Sequence, residues 1–332
     1  MDLVDALRRK IETLENGDYT PGLKAVLLHI ETAFGHLARG QKDDSETAFT
    51  DAIYRTNQVF EGSIKEAYRV LAEKDPGKIS PAEIESYLEQ KGLLRERVLA
   101  QLTTYRKGWR NPSTHDYKLD FDESEAFLAI ISVSALACLL LDLIAEQLAF
   151  RRSQLEADAS RSAIAAKLAL SGGGDLHSRV TALLMEFCAS HFPASTASSK
   201  MTELQIIGAL HGFLSSAAPD LSVSTEAQIN SKGVLLMPDL LVSKDSEVVI
   251  VELKRRATMA SYVTGLAQMQ IYLSAADAKS GILLILPEPV EDMRAAEVTS
   301  SSSDHEGLIT VLAPARVHSR INAAISLPQD SP

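Results

Sequence analysis

The sequence has few of the residues that build covalently stabilised or cysteine-based structure. Only Cys138 and Cys188 occur among 332 residues, together with a single tryptophan. Two cysteines exclude a disulfide framework and a cysteine-rich zinc site, and this usage is typical of a reducing compartment. Basic charge is also scarce, since 33 Lys and Arg face 44 Asp and Glu, for a formal net charge of −11. The composition therefore argues against a protein that coats nucleic acid by charge alone, but it allows a carboxylate-based metal site.

Targeting and membrane signals are also missing from the sequence. The first residues, Met1–Asp5, are acidic and do not form the basic region that begins a signal peptide. The longest apolar run, residues 126–141, is shorter than the ~20 residues that a membrane span needs, and no Lys or Arg flanks it. We expect this run to be a helix that is buried on most sides. We therefore predict no membrane association and a cytoplasmic location.

The periodicity of apolar residues divides the chain into two parts. Before residue 160 they recur at three- and four-residue steps, which indicates helices only. Beyond the glycine-rich residues 171–175, strand-like runs alternate with helices, as in α/β proteins. The sequence predicts a multidomain protein with an all-helical domain over 1–160, a linker over 161–175 and an α/β domain with a mixed central sheet over 176–332. The predicted strands of this second domain are residues 221–229, 234–242, 248–253, 281–286 and 308–312.

A pattern of carboxylates and a lysine lies in the second domain. Pro238-Asp239 is followed, after twelve residues, by Glu252-Leu253-Lys254. Alternate side chains of a strand share a face, so Glu252 and Lys254 should emerge together. If the strand before them pairs antiparallel through a turn at residues 243–246, Asp239 arrives beside Glu252. Carboxylate oxygens are ligands that Mg²⁺ prefers, and an ammonium group can hold a water molecule or stabilise developing charge.

This pattern resembles the PD-(D/E)xK nuclease superfamily, which has the restriction-endonuclease-like fold. The resemblance covers about residues 176–290, where the order of predicted helices and strands agrees with that family. It implies Mg²⁺- or Mn²⁺-dependent cleavage of DNA or RNA. Asp239 and Glu252 would then be the metal ligands, and Lys254 would orient the attacking water.

Two further features match this nuclease family. Glu203, on the helix before the first predicted strand, stands where the family often has an additional acidic residue, and Glu186 on the earlier helix is the alternative. The segment Gln268-Met269-Gln270-Ile271-Tyr272 looks like the QxxxY element of the RecB-type branch. The resemblance therefore implies that Glu203 and Gln268 support the site, with Tyr272 reaching towards the site or the DNA.

A second candidate site follows the fifth predicted helix, where four residues separate Arg110 from His115. Pro112 should end the helix near Arg110 and leave residues 111–115 as an ordered loop. Arginine binds phosphate through a planar fork, and histidine, with an ordinary pKa of ~6.5, exchanges a proton near neutrality. This pair suffices for metal-independent RNA cleavage, in which the 2′-hydroxyl attacks the adjacent phosphate.

The segment Arg110-Asn111-Pro112-Ser113-Thr114-His115 resembles the R-x4–6-H motif of HEPN domains in its R-N-x-x-x-H form. The resemblance covers about residues 20–150. It implies a helical fold, RNA cleavage without a cofactor, and a dimer in which two copies of the motif meet. The alternative is structural, with His115 capping a loop and Arg110 paired with Asp116 or Asp120.

The two resemblances together imply a two-domain nuclease that forms a homodimer through its helical domain. HEPN members commonly belong to toxin, abortive-infection and antiviral systems, so we expect a prokaryotic antiviral-defence or toxin-like effector. One alternative is a DNase only, with the helical half as a dimerisation module. Another is a non-catalytic nucleic-acid-binding or regulatory protein, against which the presence of Asp239, Glu252 and Lys254 together argues.

Overall fold

The structure of the protein is a computed structural model. It describes residues 3–115, 118–170, 174–192, 201–231, 233–287, 290–301 and 306–326. The contacts within the chain define two compact units, Met1–Gln147 and Leu148–Pro332.

The N-terminal unit is helical, and its described part contains no strand, as the sequence predicts. A capping box starts one helix as expected, because the Glu83 N–H donates to Ser80 Oγ at 3.4 Å and the Ser80 N–H donates to the Glu83 carboxylate at 3.0 Å. The helices are α1 Leu3–Glu12, α2 Thr20–Asp43, α3 Glu46–Leu71, α4 Pro81–Gln90, α5 Glu96–Tyr105, a π-helical turn Arg106–Arg110, α6 Asn111–His115 and the first part of α7 Glu123–Leu170.

The predicted apolar helix is the first part of α7. Within the described residues it is the one helix long and apolar enough to cross a membrane, but 56% of its most apolar 18-residue window is buried. Ala126, Ala129 and Ile130 pack in a core with apolar residues of α2 and α3. This burial is what the core helix of a soluble protein shows. A few large apolar side chains of α7 are exposed, namely Phe127, Leu128 and Ile131.

The predicted loop over residues 111–115 is wrong, because the structure has the short helix α6 there. Pro112 lies in the first turn of this helix, where its missing N–H breaks no hydrogen bond. The π-helical turn before it changes the hydrogen-bond register, since the Asn111 N–H donates to the carbonyl of Arg106, five residues back. The chain therefore passes a proline without leaving helical geometry.

The C-terminal unit contains a mixed sheet of six strands and helices on both of its faces, which confirms the α/β prediction. Along the chain its elements are α8 Leu176–His191, α9 Glu203–Ala217, β1 Ser222–Thr225, β2 Ile229–Ser231, β3 Val234–Leu236, β4 Leu240–Lys244, β5 Glu247–Lys254, α10 Met259–Ala276, β6 Ser280–Ile285, β7 Met293–Ser301, β8 Glu306–Pro314 and α11 Ala315–Ser326.

The strand order in the sheet is β1-β4-β5-β6-β8-β7, and β2 and β3 form a separate two-stranded hairpin. The pairs β1–β4, β4–β5 and β7–β8 are antiparallel, whereas β5–β6 and β6–β8 are parallel. Helix α10 makes the crossover that a parallel β5–β6 pair requires. The five predicted strands are present, but the hairpin divides the first two of them, and β7 was not predicted.

The two faces of the sheet belong to two apolar cores. Val249, Val251 and Leu253 of β5 face the core that contains α8 and α9. Ile250 faces the other core, with α10 and α11. Because side chains alternate along a strand, Glu252 and Lys254 share the α10 side with Ile250.

The predicted linker over residues 161–175 is helical up to Leu170, so its first part is corrected. Helix α7 runs through the division between the units, and its C-terminal part belongs to the C-terminal core through Ala157 and Ile164. Gly212 of α9 lies against this part of the helix, because a Cβ there would be 2.1 Å from the carbonyl oxygen of Phe150. The alanine-rich sequence supports a helix, and packing of one side keeps it ordered.

Candidate active site

The pairing of β4 and β5 brings the two predicted metal ligands together. Leu240 pairs with Val251, so Asp239, one residue before β4, comes opposite Glu252. The Leu253 N–H donates to Asp239 Oδ2 at 2.7 Å, which fixes this carboxylate at the end of the strand. The antiparallel pairing predicted through the turn at residues 243–246 is confirmed. The register of this pairing is sufficient to place Asp239 opposite Glu252.

Lys254 lies on the same face of β5 as Glu252 and is bonded to it. Its ammonium group donates to Glu252 Oε1 at 2.7 Å and to Gln268 Oε1 at 3.0 Å. The Gln268 amide donates to the Tyr272 hydroxyl at 2.6 Å, and that hydroxyl donates to the carbonyl of Met237 at 3.2 Å. A continuous chain of hydrogen bonds thus links the carboxylate to α10 and back to the segment that carries Asp239.

Burial and neighbouring negative charges favour the protonated forms of the two carboxylates. Burial raises the pKa of Asp239 to about 7, and the charges of Glu252 and Glu203 add to this, whereas the Leu253 N–H and Lys254 oppose it. The pKa of Glu252 is also raised, first by burial and then by Glu203, against the lowering effect of Lys254. Groups whose pKa is perturbed by burial together with a close charged partner are typical of functional sites.

Glu203, at the first position of α9, is the acidic residue whose charge reaches both carboxylates. Glu186, the alternative, instead forms an ion pair with Lys167 at 2.5 Å. Arg255 positions the start of α9, because it donates to the carbonyl of Met201, two residues before Glu203. Little in the sequence indicates this role of Arg255, since a basic residue at the end of a strand is the only signal for it.

The donor set fits a divalent cation that is partly coordinated by the protein. Glu252 is 4% exposed, and its Oε2 makes no hydrogen bond of normal geometry with any described residue, although the Asp239 N–H lies close enough to lower its pKa. Within the described residues, no three His, Cys, Asp or Glu side chains group closely enough to complete a metal site by themselves. Mg²⁺ is usually bound by only one or two carboxylates, with waters and substrate phosphates as its other ligands.

The Arg–His motif lies in the N-terminal unit, at the end of the π-helical turn and along α6. The half-buried Arg110 donates from Nη1 to Asn111 Oδ1 at 3.2 Å, and its carbonyl accepts from Thr114 Oγ1 at 2.7 Å. The side chain of His115 lies outside the described residues, as do Asp116 and Tyr117. The structure therefore places the arginine of the motif but does not test the distance to its histidine.

Two residues outside the motif, Asn57 of α3 and Tyr105 of α5, connect it to α3. Asn57 donates to the Oγ of buried Ser113 at 2.8 Å, and the Tyr105 hydroxyl lies 3.1 Å from Asn57 Oδ1. Tyr105 is fully buried, and burial raises its pKa. No local sequence pattern predicts this hydrogen-bond network, because Asn57 lies about 50 residues from its partners along the chain.

A buried glutamate lies beside the arginine of the motif. Glu85 of α4 accepts from Arg106 Nη1 at 2.6 Å and is 4% exposed. Burial raises its pKa, whereas the charges of Arg106 and Arg110 lower it. Arg106 therefore binds this carboxylate directly, and the charge of Arg110 also acts on it.

Comparisons with protein-family models, with curated proteins and with solved structures find no match for this chain.

Proposed function

We propose that the chain is a nuclease whose C-terminal unit hydrolyses phosphodiester bonds with a divalent metal at Asp239 and Glu252. The observation that carries this proposal is the convergence of both carboxylates and Lys254 at the end of two paired strands. The buried Glu252 Oε2 supports it, because this atom makes no hydrogen bond of normal geometry with any described residue, and a buried polar atom without a partner is costly unless a water or a ligand satisfies it.

We infer that the finer fold of this unit is the restriction-endonuclease-like one. The order α9, β1, β4, β5, α10, β6, with β1, β4 and β5 antiparallel and β6 parallel to β5, supports that interpretation. The β2–β3 hairpin is then an insertion between the first two core strands. Gln268 and Tyr272 of α10 support the RecB-type resemblance, because both contact the network that holds Lys254.

In this mechanism the protein positions the reacting groups. Mg²⁺ or Mn²⁺ held by Asp239 and Glu252 would polarise the phosphodiester and lower the pKa of a bound water. Lys254, which Glu252 and Gln268 hold in place, would orient that water and stabilise the negative charge that develops on the phosphate. The negative charge of Glu203 would strengthen the cation affinity of the site.

A second activity is proposed for the N-terminal unit, which we interpret as a HEPN-like domain. Arg110 would hold the scissile phosphate, and His115 would transfer the proton of the 2′-hydroxyl or of the leaving group, without a metal. The helical unit and the position of Arg110 beside the buried Glu85 favour this second site. The alternatives are a DNase with the helical unit as a dimerisation module, and a non-catalytic nucleic-acid-binding or regulatory protein.

The combination of two such units suggests an antiviral-defence or toxin-like effector in a prokaryotic cytoplasm. The test is to incubate the purified protein with DNA and with RNA, each in Mg²⁺ and in EDTA. Cleavage in Mg²⁺ that EDTA abolishes is expected from the C-terminal unit, and EDTA-resistant RNA cleavage from the N-terminal unit. Failure to cleave either polymer in either condition would leave only the non-catalytic alternative.

A further inference from the structure

The π-helical turn Arg106–Arg110 lies directly before the rest of the Arg–His motif and interrupts an otherwise α-helical segment. Such a turn holds one residue more than an α-helical turn, so it rotates every later side chain by about 100° around the helix axis. π-helical turns are rare, and they lie frequently at functional sites. The direction of Arg110 relative to α5 is therefore set by this turn.

Asn57 of α3 contacts residues on both sides of the turn. Its side-chain amide donates to the Oγ of Ser113 at 2.8 Å, and its Oδ1 lies 3.1 Å from the hydroxyl of Tyr105, the last residue of α5. In a regular α-helix, a separation of eight residues would turn Ser113 about 80° away from Tyr105. The extra residue of the π-helical turn reduces this angle to about 20°, so both side chains face the same asparagine. The two contacts of Asn57 are therefore specific for the π-helical form.

Burial and further hydrogen bonds strengthen this link. Tyr105 is fully buried, its ring stacks on Phe60 with the centroids 5.0 Å apart, and its hydroxyl also lies 2.8 Å from Thr56 Oγ1. The Ser113 hydroxyl donates to the carbonyl of Arg110 at 3.1 Å, which extends the link into the turn itself. Because a buried polar group that loses its partner costs free energy, the whole network opposes relaxation of the turn to a regular α-helix.

We propose, on the basis of the RNA cleavage proposed above, that Asn57 and Tyr105 are positioning residues of the Arg–His site. They hold the π-helical turn, and the turn directs the guanidinium group of Arg110 towards the phosphate that it would bind beside His115. Without Asn57 the segment would relax towards a regular α-helix and rotate Arg110 away from that phosphate. In this role neither Asn57 nor Tyr105 contacts the RNA, and both act through the backbone of the turn.

The single tryptophan of the chain provides a direct measurement of the turn. Trp109 lies within the π-helical turn and packs against a core formed by α2, α3 and α7. In the full-length protein, Asn57→Ala should shift its fluorescence emission to longer wavelength and increase its quenching by acrylamide, because relaxation of the turn moves the indole towards solvent. The far-ultraviolet circular dichroism should stay unchanged. An unchanged emission in the folded variant would overturn the proposal.

Further variants test whether the network causes this shift. Tyr105→Phe keeps the buried ring and should give a smaller shift in the same direction, which decides the test if Asn57→Ala does not fold. Ser113→Ala should reproduce the shift of Asn57→Ala, and the double variant should add little, because both changes break the same link. Gln101→Ala is the matched control, since its amide donates to Ser132 of α7 at 3.1 Å and does not contact the motif. Additive shifts, or an equal shift in Gln101→Ala, would contradict the proposal.

Cleavage assays connect the turn to the proposed function. Asn57→Ala should lower kcat for EDTA-resistant RNA cleavage at least about tenfold, since a small misplacement of a reacting group has effects of this size. Its Mg²⁺-dependent cleavage, which is assigned to the C-terminal unit, should equal that of the wild type. Ile64→Val, a change in the buried core beside the same helix, should lower stability but keep the rate of RNA cleavage.

The two measurements separate this inference from the proposed ribonuclease activity. An emission shift in Asn57→Ala, together with a wild type that does not cleave RNA in EDTA, would support the network as the element that holds the turn and count against the ribonuclease. Undiminished RNA cleavage by a folded Asn57→Ala protein whose emission has shifted would overturn the positioning role.

Discussion

Lys254 donates to Oε1 of Glu252 at 2.7 Å, while Oε2 of that carboxylate is buried and makes no normal hydrogen bond with any described residue. A buried carboxylate oxygen without a partner costs free energy unless a water or a ligand satisfies it. The lysine neutralises part of the negative charge, yet it leaves one lone-pair direction of Glu252 open beside Asp239. This open direction supports the cation site that we propose at Asp239 and Glu252.

The first prediction concerns Lys254 itself. Lys254→Ala should lower kcat for Mg²⁺-dependent cleavage by about 10²–10³-fold, because the charge that develops on the phosphate loses its fixed cation. The side chain is half-buried at the end of a strand, so the fold should persist. Initial cleavage rates on DNA measure the effect.

Lys244→Ala is the matched control for this prediction. Lys244 ends β4, and its ammonium group pairs with Asp220 at 2.9 Å. Its loss changes the net charge by the same amount and should leave the rate unchanged. A near wild-type rate for Lys254→Ala, or an equal loss in both variants, would remove Lys254 from the mechanism.

The second prediction is that the site destabilises the metal-free fold. The pKa of Asp239 rises from 3.8 to about 7 on folding, so the folded state binds the proton more tightly than the unfolded state. Stability therefore falls as pH rises from about 4 to about 7, and it is lowest above that range. Asp239→Asn removes the charge and keeps an oxygen for the Leu253 N–H, so it should stabilise the protein near pH 8 by about 2–4 kcal/mol. Denaturant unfolding across this pH range measures the difference, which should shrink towards about pH 4.

Metal binding supplies the control for that variant. Mg²⁺ or Mn²⁺ should raise the melting temperature of the wild type, because a ligand that binds only the folded state stabilises it. The same ions should have little effect on Asp239→Asn. Equal stabilisation of both proteins by the metal would show that Asp239 is not a ligand.

The third prediction tests Gln268 as a positioning residue. Gln268→Ala should lower kcat about tenfold, because Lys254 loses one of its two acceptors and the Tyr272 hydroxyl loses a donor. Gln270→Ala is the matched control, since Gln270 lies two residues away on an exposed part of α10. Tyr272→Phe keeps the buried ring but breaks the contact with Met237, and it should give a smaller loss. Gln268→Ala with unchanged kcat would mean that the network serves stability alone.

The part of the site that the sequence predicts is the part set by strand geometry. Glu252 and Lys254 share a face because of the two-residue period, and the spacing to Asp239 fits one antiparallel turn. The contact from Arg255 to Met201 spans 54 residues and has no periodic signature, so only packing reveals it. The sequence does not separate the β2–β3 hairpin from the two longer predicted strands, because the apolar residues of the hairpin continue the pattern of those strands.

Helix ends were predicted less well than helices, for two physical reasons. Residues 161–170 fall in the predicted linker, although their alanine-rich sequence also fits a frayed continuation of the long helix; Ile164 packs into the C-terminal core and keeps this part helical. Pro112 favours a helix stop, but it lies in the first turn of α6, after a π-helical turn that changes the hydrogen-bond register. Both outcomes depend on tertiary contacts or on backbone geometry, which the helix propensities of single residues do not describe.

The fourth prediction is that the full-length protein forms a homodimer through α7. Phe127, Leu128 and Ile131 are exposed on this helix at 48%, 54% and 37%, although their neighbours form the core. Burying this face against a copy of itself gives a two-fold interface. Leu128→Glu should therefore yield a monomer in light scattering at micromolar concentration. Leu155→Glu, on the same helix in the C-terminal unit, is the control that should remain dimeric, and a monomeric wild type would refute the interface.

The last prediction links the helical unit to RNA cleavage. If Arg110 holds the phosphate and His115 transfers the proton, His115→Ala should lower EDTA-resistant RNA cleavage by about 10²-fold or more without changing the dimer. Arg110→Lys keeps a positive charge beside Glu85 but loses the planar fork, so it should also lower the rate while the fold persists. Arg97→Ala, an exposed arginine of α5, is the control that should retain activity. EDTA-resistant cleavage that survives both His115→Ala and Arg110→Lys would leave the helical unit as a dimerisation module, and the nuclease activity would then belong to Asp239, Glu252 and Lys254.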